Sequence, residues 1–167
     1  MNAIPEPLRL HSETVRPEWI DYNGHMNVAY YVLAFDHATD ALLDRVGLGH
    51  AWLEAENRSV FVVEAHVNYL REVREGDPLA FETLVLGADG KRFHLFHTMR
   101  HGTRGWIAAT NELMLVHVDM RTRLSAPMTD DHARALAELA ALHAGVARPP
   151  QVGRSIGLPG NRAPGQA

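Results

Sequence analysis

The run Val28-Ala29-Tyr30-Tyr31-Val32-Leu33-Ala34-Phe35 is apolar on every face it would present as a helix, and a helix that is apolar all round has to be buried all round. The spacing predicts one helix over residues 27–46, with Asn27 or Asn23 as cap and Gly47 placed to end it. Only its second half carries a polar stripe, Asp36, Asp40 and Asp44 at intervals of four. The rest of the chain must therefore supply a cover for this helix.

The cover reads as β-structure. Residues 8–16 alternate Leu8, Leu10 and Ser12 with Arg9, His11 and Glu13 until Pro17 closes the run, and a polar loop follows at 18–24. A short helix over 49–57 leads to four strand-like stretches, 59–75, 78–87, 91–101 and 106–119. The joints between them, Glu75-Gly76-Asp77-Pro78, Gly87-Ala88-Asp89-Gly90 and His101-Gly102-Thr103-Arg104-Gly105, carry turn residues. Connections this short are expected to join sequential antiparallel pairs. Residues 130–143 read as a last helix capped by Thr129 or Asp130, and 145–167 hold five Gly and four Pro, an extended or mobile tail. The expected organisation is one α+β domain over residues 1–144, a five-stranded antiparallel sheet wrapped around a long central helix, with 145–167 as its tail. A single sheet leaves one side of the helix bare, so a homodimer or a dimer of dimers is implied.

Composition narrows the function. At 167 residues, 46% hydrophobic and 22% charged, the chain belongs with globular domains rather than disordered or fibrous ones. A net charge of -4 argues against a general grip on nucleic acid. The absence of cysteine rules out disulfides, thiolate metal sites and a Cys nucleophile, and makes the cytoplasm the expected compartment. The longest apolar run is far short of the about 20 residues a membrane span needs, and no signal peptide or membrane partner is expected.

The segment Trp19-Ile20-Asp21-Tyr22-Asn23-Gly24-His25-Met26-Asn27 precedes the apolar helix and alternates four polar side chains, Asp21, Asn23, His25 and Asn27, with Gly24 free to turn tightly among them. At a helix N-terminus, N–H groups and the positive end of the dipole can polarise a carbonyl and hold an oxyanion, while a carboxylate acts as base or nucleophile. Capping of the helix and loop accounts for any one of these residues. Four polar groups against an apolar helix point to a site.

The pattern Asp21-x-Asn23-x-His25-x-Asn27 followed by Val28-Ala29-Tyr30-Tyr31 resembles the acyl-carrier-protein and acyl-CoA thioesterases of the hotdog fold, and Val67-Asn68-Tyr69-Leu70-Arg71-Glu72-Val73-Arg74-Glu75-Gly76-Asp77 is similar to the strand these families place opposite the helix. The resemblance implies an acyl-CoA substrate, no cofactor beyond the CoA that the substrate carries, and a catalytic group of Asp21, Asn23, His25 and Glu72. Comparison with 4-hydroxybenzoyl-CoA thioesterases implies Asp21 alone, as nucleophile or base. Strand alternation bears on Glu72: over 60–73 the odd positions Phe61, Val63, Ala65, Val67, Tyr69 and Val73 should face the helix, which sets Glu72 on the other face with Glu64, His66 and Asn68 unless a bulge or the dimer reverses it. Otherwise Glu72 is a solvated charge beside Arg71 or Arg74.

Within that fold, Pro17 to Asn27 most resembles the betainyl-CoA thioesterases of carnitine degradation, which release glycine betaine. The resemblance implies a substrate with a quaternary ammonium group, which aromatic faces bind through cation–π attraction. Trp19, Tyr22, Tyr30, Tyr31 and Trp52 lie near the motif in sequence, and with Gly24 and Asn27 the first four make the expected substrate-binding set; core and interface packing is the alternative for the rings. No metal is expected at His94, His97 and His101, because alternation puts His94 on the face opposite the other two. Lys91, Arg92, Arg100 and Arg104 read as cations around one hairpin, facing either CoA phosphates or solvent, and Glu112 either approaches the site or pairs with an Arg.

The expected chemistry is hydrolysis of an acyl-CoA thioester, with Asn23 positioning water or the carbonyl, Asp21 as base or nucleophile and His25 assisting proton transfer. Two alternatives stand beside it. Hotdog hydratases use a related Asp and His but usually with more residues between Asn and His than Gly24 alone, and a non-catalytic acyl-CoA-binding module needs no turnover.

Overall fold

In the computed structural model, which describes residues 5–158, α1 (Val28–Arg45) starts at Asn27, whose side chain accepts the Ala29 N–H at 3.0 Å. Its buried stripe is Tyr31, Ala34, Phe35, Ala38, Thr39, Leu42 and Leu43, the i, i+3, i+4 rhythm of one helix face. Against that stripe curls an antiparallel sheet of β1 (Ser12–Thr14), β2 (Arg58–Tyr69), β3 (Pro78–Ala88), β4 (Arg92–His101) and β5 (Ile107–Asp119), with a two-residue β6 (Leu124–Ser125) added to β5. A short α2 (His50–Glu56) precedes β2, and α3 (Asp130–His143), capped by Thr129, follows the sheet. This is the α+β architecture expected from the sequence: five principal antiparallel strands around one long helix.

The strand order corrects one expectation. It is β1-β3-β4-β5-β2, so β2 and β3 are not a sequential pair; β3 lies between β1 and β4, while β2 pairs only with β5 at the opposite side of the sheet. The reason is that β2 stops at Tyr69 and the chain then crosses the width of the sheet. Leu70 and Arg71 donate to Ala108 O at one side, and the Val15–Gly76 and Val15–Asp77 backbone bonds dock the other end. The turn chemistry at Gly76 is real, with φ +80, and Asp77 Oδ2 accepts the Arg74 N–H at 2.9 Å, but it ends a crossing rather than closing a hairpin.

A second correction concerns facing. A bulge at Val63 shifts the β2–β5 register, so Val60 and Val62 share a face with Ala65, Val67 and Tyr69, whereas Phe61 points to the outer surface opposite Val116.

The core lies in two clusters along α1. One surrounds its first half with Val15, Trp19, Met26, Phe81, Met99 and Ala109, and the other surrounds its second half with Phe93, Leu95, Leu113 and Leu136 of α3. The far side of α1 is left uncovered by the described residues. Val28, Val32 and Leu33 are 58%, 45% and 39% exposed, and the β2 edge also exposes Val62 and Val63. Residues 145–158 form neither helix nor strand, and within them Gly153 N donates to Glu112 Oε2 on the sheet's outer face at 2.7 Å; the remainder of the expected tail, 159–167, lies outside the described residues. Among the described residues no helix is long and apolar enough to cross a membrane.

Candidate active site

The loop before α1 is closed by its own backbone. Ile20 bridges Met26, Asp21 N donates to His25 O at 3.1 Å, and Gly24 N donates to Asp21 O at 3.0 Å. Gly24 sits at φ +79, the left-handed region in which a side chain is strained, and this lets four polar residues share so short a loop. Asp21 Oδ1 accepts the Asn23 N–H at 2.8 Å, which fixes the carboxylate; Oδ2 has no partner among the described residues. Tyr22 is 97% exposed at the tip. On leaving the loop, Asn27 N donates to Trp19 O, and the first turn of α1 begins.

At that turn Asn27 takes two of the leading N–H groups, Ala29 through its side chain and Tyr30 through its carbonyl. Val28 N–H, the first of the turn, has no acceptor among the described residues. A donor of this kind, backed by the helix dipole, suits the oxygen of a polarised carbonyl.

The crossing segment brings in the second carboxylate. Met26 N donates to Val73 O at 2.9 Å, and Val73 N donates to the buried Tyr31 hydroxyl at 3.2 Å, so both backbone groups of Val73 are held by the loop and helix. Glu72 is thereby placed beside the loop. Its carboxyl is held below its ordinary range first by the hydrogen bond and charge of Arg74, whose Nη2 lies 2.8 Å from Oε1, and to a smaller degree by the charge of His25. Burial raises the Tyr31 phenol above its ordinary value.

A sequence profile described as the thioesterase-like superfamily matches residues 15–136, most of the chain and all of this site. The chain belongs to that superfamily. It is 40% identical over 156 residues to the betainyl-CoA thioesterase of Pseudomonas aeruginosa, covering 93% of this chain and 98% of that one. It is 42% identical over 139 residues to the L-carnitine dehydrogenase/betainyl-CoA thioesterase of Agrobacterium fabrum, 83% of this chain but only 28% of that longer protein. A Staphylococcus aureus hypothetical protein solved in complex with CoA superposes with a TM-score of 0.86 at 30% identity, over 95% of this chain and 100% of that one.

Set within this thioesterase-like frame, Asp21, Asn23, Gly24, His25 and Asn27 occupy one closed loop at the mouth of α1, and Glu72 adjoins it. Strand alternation does not govern Glu72, because β2 ends three residues earlier and Glu72 lies on the crossing segment. The aromatic residues do not gather into one box. Trp19 is 2% exposed, stacks on Tyr30 with ring centres 5.6 Å apart, and has the Arg16 guanidinium 5.1 Å from its ring. Trp52 is in the other core cluster, its ring edge-on to His132 and its Nε1 donating to His117. Sequence reasoning missed Tyr69, treated only as an inward strand residue: it meets Tyr31 edge-on at 5.2 Å and its hydroxyl donates to Val28 O at the helix mouth. Its signal was an aromatic residue ending the strand that leads to Glu72.

Elsewhere, Glu112 neither reaches the loop nor pairs with an Arg. It faces outward against His94 Nε2 at 2.7 Å. Lys91, Arg92, Arg100 and Arg104 all belong to or adjoin the β4–β5 hairpin, but the first two stand at its open end and the last two at its turn, so they form no single cluster; Arg92 is engaged by Asp89, and Arg100 by Glu82 and Gly105 O. His97 is buried against α1 and His94 lies outside, so the two share no centre. A different trio, His11, Glu13 and His37, brings its ligand atoms within 4.8 Å of one another. It lies between β1 and α1 at His37, nine residues beyond Val28 and so about 14 Å along the helix.

Proposed function

We propose that this protein hydrolyses an acyl-CoA thioester at the Asp21 loop, and that the acyl group is betainyl. The observation that carries the first part is a backbone-fixed carboxylate, with one oxygen unpartnered among the described residues, in the closed loop that leads directly into an apolar helix whose first N–H, that of Val28, is also unbonded among them. In this reading the thioester oxygen sits against the helix mouth, and Asp21 removes a proton from water or attacks the carbonyl directly. By the first route the water oxygen bonds to the carbonyl carbon; by the second an Asp21–acyl anhydride forms, which water then hydrolyses to the free acid and the Asp21 carboxylate; in both the carbon–sulfur bond breaks and the thiolate takes a proton by way of His25 to leave as CoA. Asn23, at the exposed tip, and Glu72, beside His25, complete the group. No further cofactor takes part.

The betainyl assignment is supported by the Pseudomonas aeruginosa and Agrobacterium fabrum relatives, and a CoA ligand by the Staphylococcus aureus complex. For the quaternary ammonium, Tyr22, Tyr30, Tyr31 and Tyr69 are the rings at the helix mouth, while Trp19 supports Tyr30 from within the core.

The working unit in this proposal is a homodimer. The apolar face Val28, Val32 and Leu33 is continuous through the Tyr69–Val28 contact with the open edge of β2, and an antiparallel edge is self-complementary across a two-fold axis. A second copy covers the bare side of α1.

The decisive experiment is free-thiol release over a panel of CoA thioesters, betainyl, acetyl, short to long fatty acyl and aromatic, by the wild type and Asp21→Ala. Turnover of betainyl-CoA, lost in Asp21→Ala, is the expected result. Preference for another thioester discards the ammonium site and keeps the hydrolase; silence over the panel with retained CoA binding moves the function to hydration or binding alone.

A further inference from the structure

We propose that His11, Glu13 and His37 form a binding site for one divalent transition-metal ion of the Zn2+ class, which clips β1 to α1. His11 and Glu13 are two apart on an extended segment and so share a face. That face turns toward the helix, since their partners on β3 are the buried Phe81 and Leu79. His37 comes from the middle of α1 to meet them.

The distances suit a metal. His11 Nε2 and His37 Nδ1 each lie 3.1 Å from the same carboxylate oxygen, Glu13 Oε1, and His37 Nδ1 is 3.3 Å from Oε2. Zn–N and Zn–O bonds of about 2.0–2.2 Å in a tetrahedron hold their ligand atoms about 3.3–3.5 Å apart, so small shifts admit an ion between them. The imidazoles are edge-on at 5.9 Å, and the Phe81 ring, 5.2 Å from that of His11, closes one side. Without a metal the two rings bond to Glu13. With one, each ring coordinates through the nitrogen that now faces Glu13 and carries its hydrogen on the other, His11 Nδ1 or His37 Nε2.

Two imidazoles and one carboxylate favour Zn2+, Co2+, Ni2+ or Cu2+ over Mg2+ or Ca2+, which prefer all-oxygen sets. Three protein ligands leave a position for water or a small anion. The mechanical consequence is specific: β1 is a three-residue strand at the edge of the sheet, paired among the described residues with β3 alone, and the ion would tie it directly to the helix.

The test is calorimetric titration of tag-free, chelator-treated protein with Zn2+ alone, paired with thermal unfolding. One equivalent is expected to bind more tightly than any others and to raise Tm. His37→Ala and Glu13→Gln should each weaken that equivalent by more than about tenfold, whereas His50→Ala, at the exposed start of α2, should keep it. Co2+ bound to the wild type should give the intense visible absorption of a four-coordinate centre, a readout that does not depend on the variants folding. Equal affinity in all four proteins, no rise in Tm, or a weak octahedral Co2+ spectrum would each overturn the site.

Discussion

Val73 is held from both sides by the residues it serves: its carbonyl accepts the Met26 N–H at 2.9 Å and its N–H donates to the Tyr31 hydroxyl at 3.2 Å. A segment with no strand of its own thus acquires a fixed position, and Glu72 inherits it. Tyr31 is for this reason a positioning residue more than a cage wall. Tyr31→Phe leaves the buried Val73 N–H without a partner, which costs about 1–3 kcal/mol in urea unfolding. If the segment places Glu72, kcat on the preferred thioester should fall with little change in KM. A fall in stability with unchanged kcat would separate Glu72 from the reaction.

Gly24 is the hinge of the Asp21 loop. A Cβ there would meet nothing within 4 Å, so Gly24→Ala tests backbone conformation alone, at φ +79. The expected cost is roughly 1–2 kcal/mol of stability, with loss of turnover as Asp21 and His25 move apart. Gly24→Asn, better tolerated in the left-handed region, should recover part of both. Equal activity in all three proteins would show that the loop's closure is not needed for the chemistry.

How far the sequence foretold this site follows from the range of the interactions involved. The helix, its Asn27 cap, the Gly24 turn and the alternation of Asp21, Asn23 and His25 are local, and local rules read them. The crossing of residues 70–77 is not local: it depends on β2 pairing with β5 instead of β3, and no turn residue at Gly76 distinguishes a hairpin from a crossing. The same holds for Tyr69, which reaches Val28 from 41 residues away, and for His37, which meets Glu13 from 24. Strand alternation also failed locally at Val63, because a bulge costs one residue of register and leaves no composition signal.

The exposed valines at the β2 edge carry the dimer proposal. Val63 is 60% exposed at the bulge, next to Val62, which is 44% exposed, on the open edge of the strand whose far end meets α1 through Tyr69. Val63→Lys places a charge on that edge, one of the devices by which edge strands resist pairing. Sedimentation equilibrium should show a dimer for the wild type and a monomer for the variant, with thiol release reduced in parallel. A wild-type monomer that is fully active would discard the dimer, and a variant dimer would move the interface elsewhere.

His97 makes an acid-sensitive joint between α1 and the sheet. The Thr39 hydroxyl donates to Phe35 O, so its oxygen accepts from His97 Nε2–H at 3.0 Å, which leaves Nδ1 as the acceptor facing the Thr83 hydroxyl at 2.9 Å. With the Phe35 ring stacked on one side, no carboxylate faces the imidazole among these contacts. Burial pushes its pKa down from 6.5 to about 3. The unfolded chain therefore binds a proton that the folded one refuses, and the stability held above about pH 6.5 is lost as pH falls toward 3, by up to about 1.4 kcal/mol per pH unit. His97→Asn removes the titrating group: the variant should be less stable at neutral pH, since the Thr39 and Thr83 bonds and the Phe35 stacking are disturbed, yet its stability should decline less steeply across that window. Urea unfolding at intervals from pH 7 to 4 measures both slopes, and parallel declines in wild type and variant would show that the acid limb belongs to other groups, such as His132 and His143, whose pKa values burial also lowers.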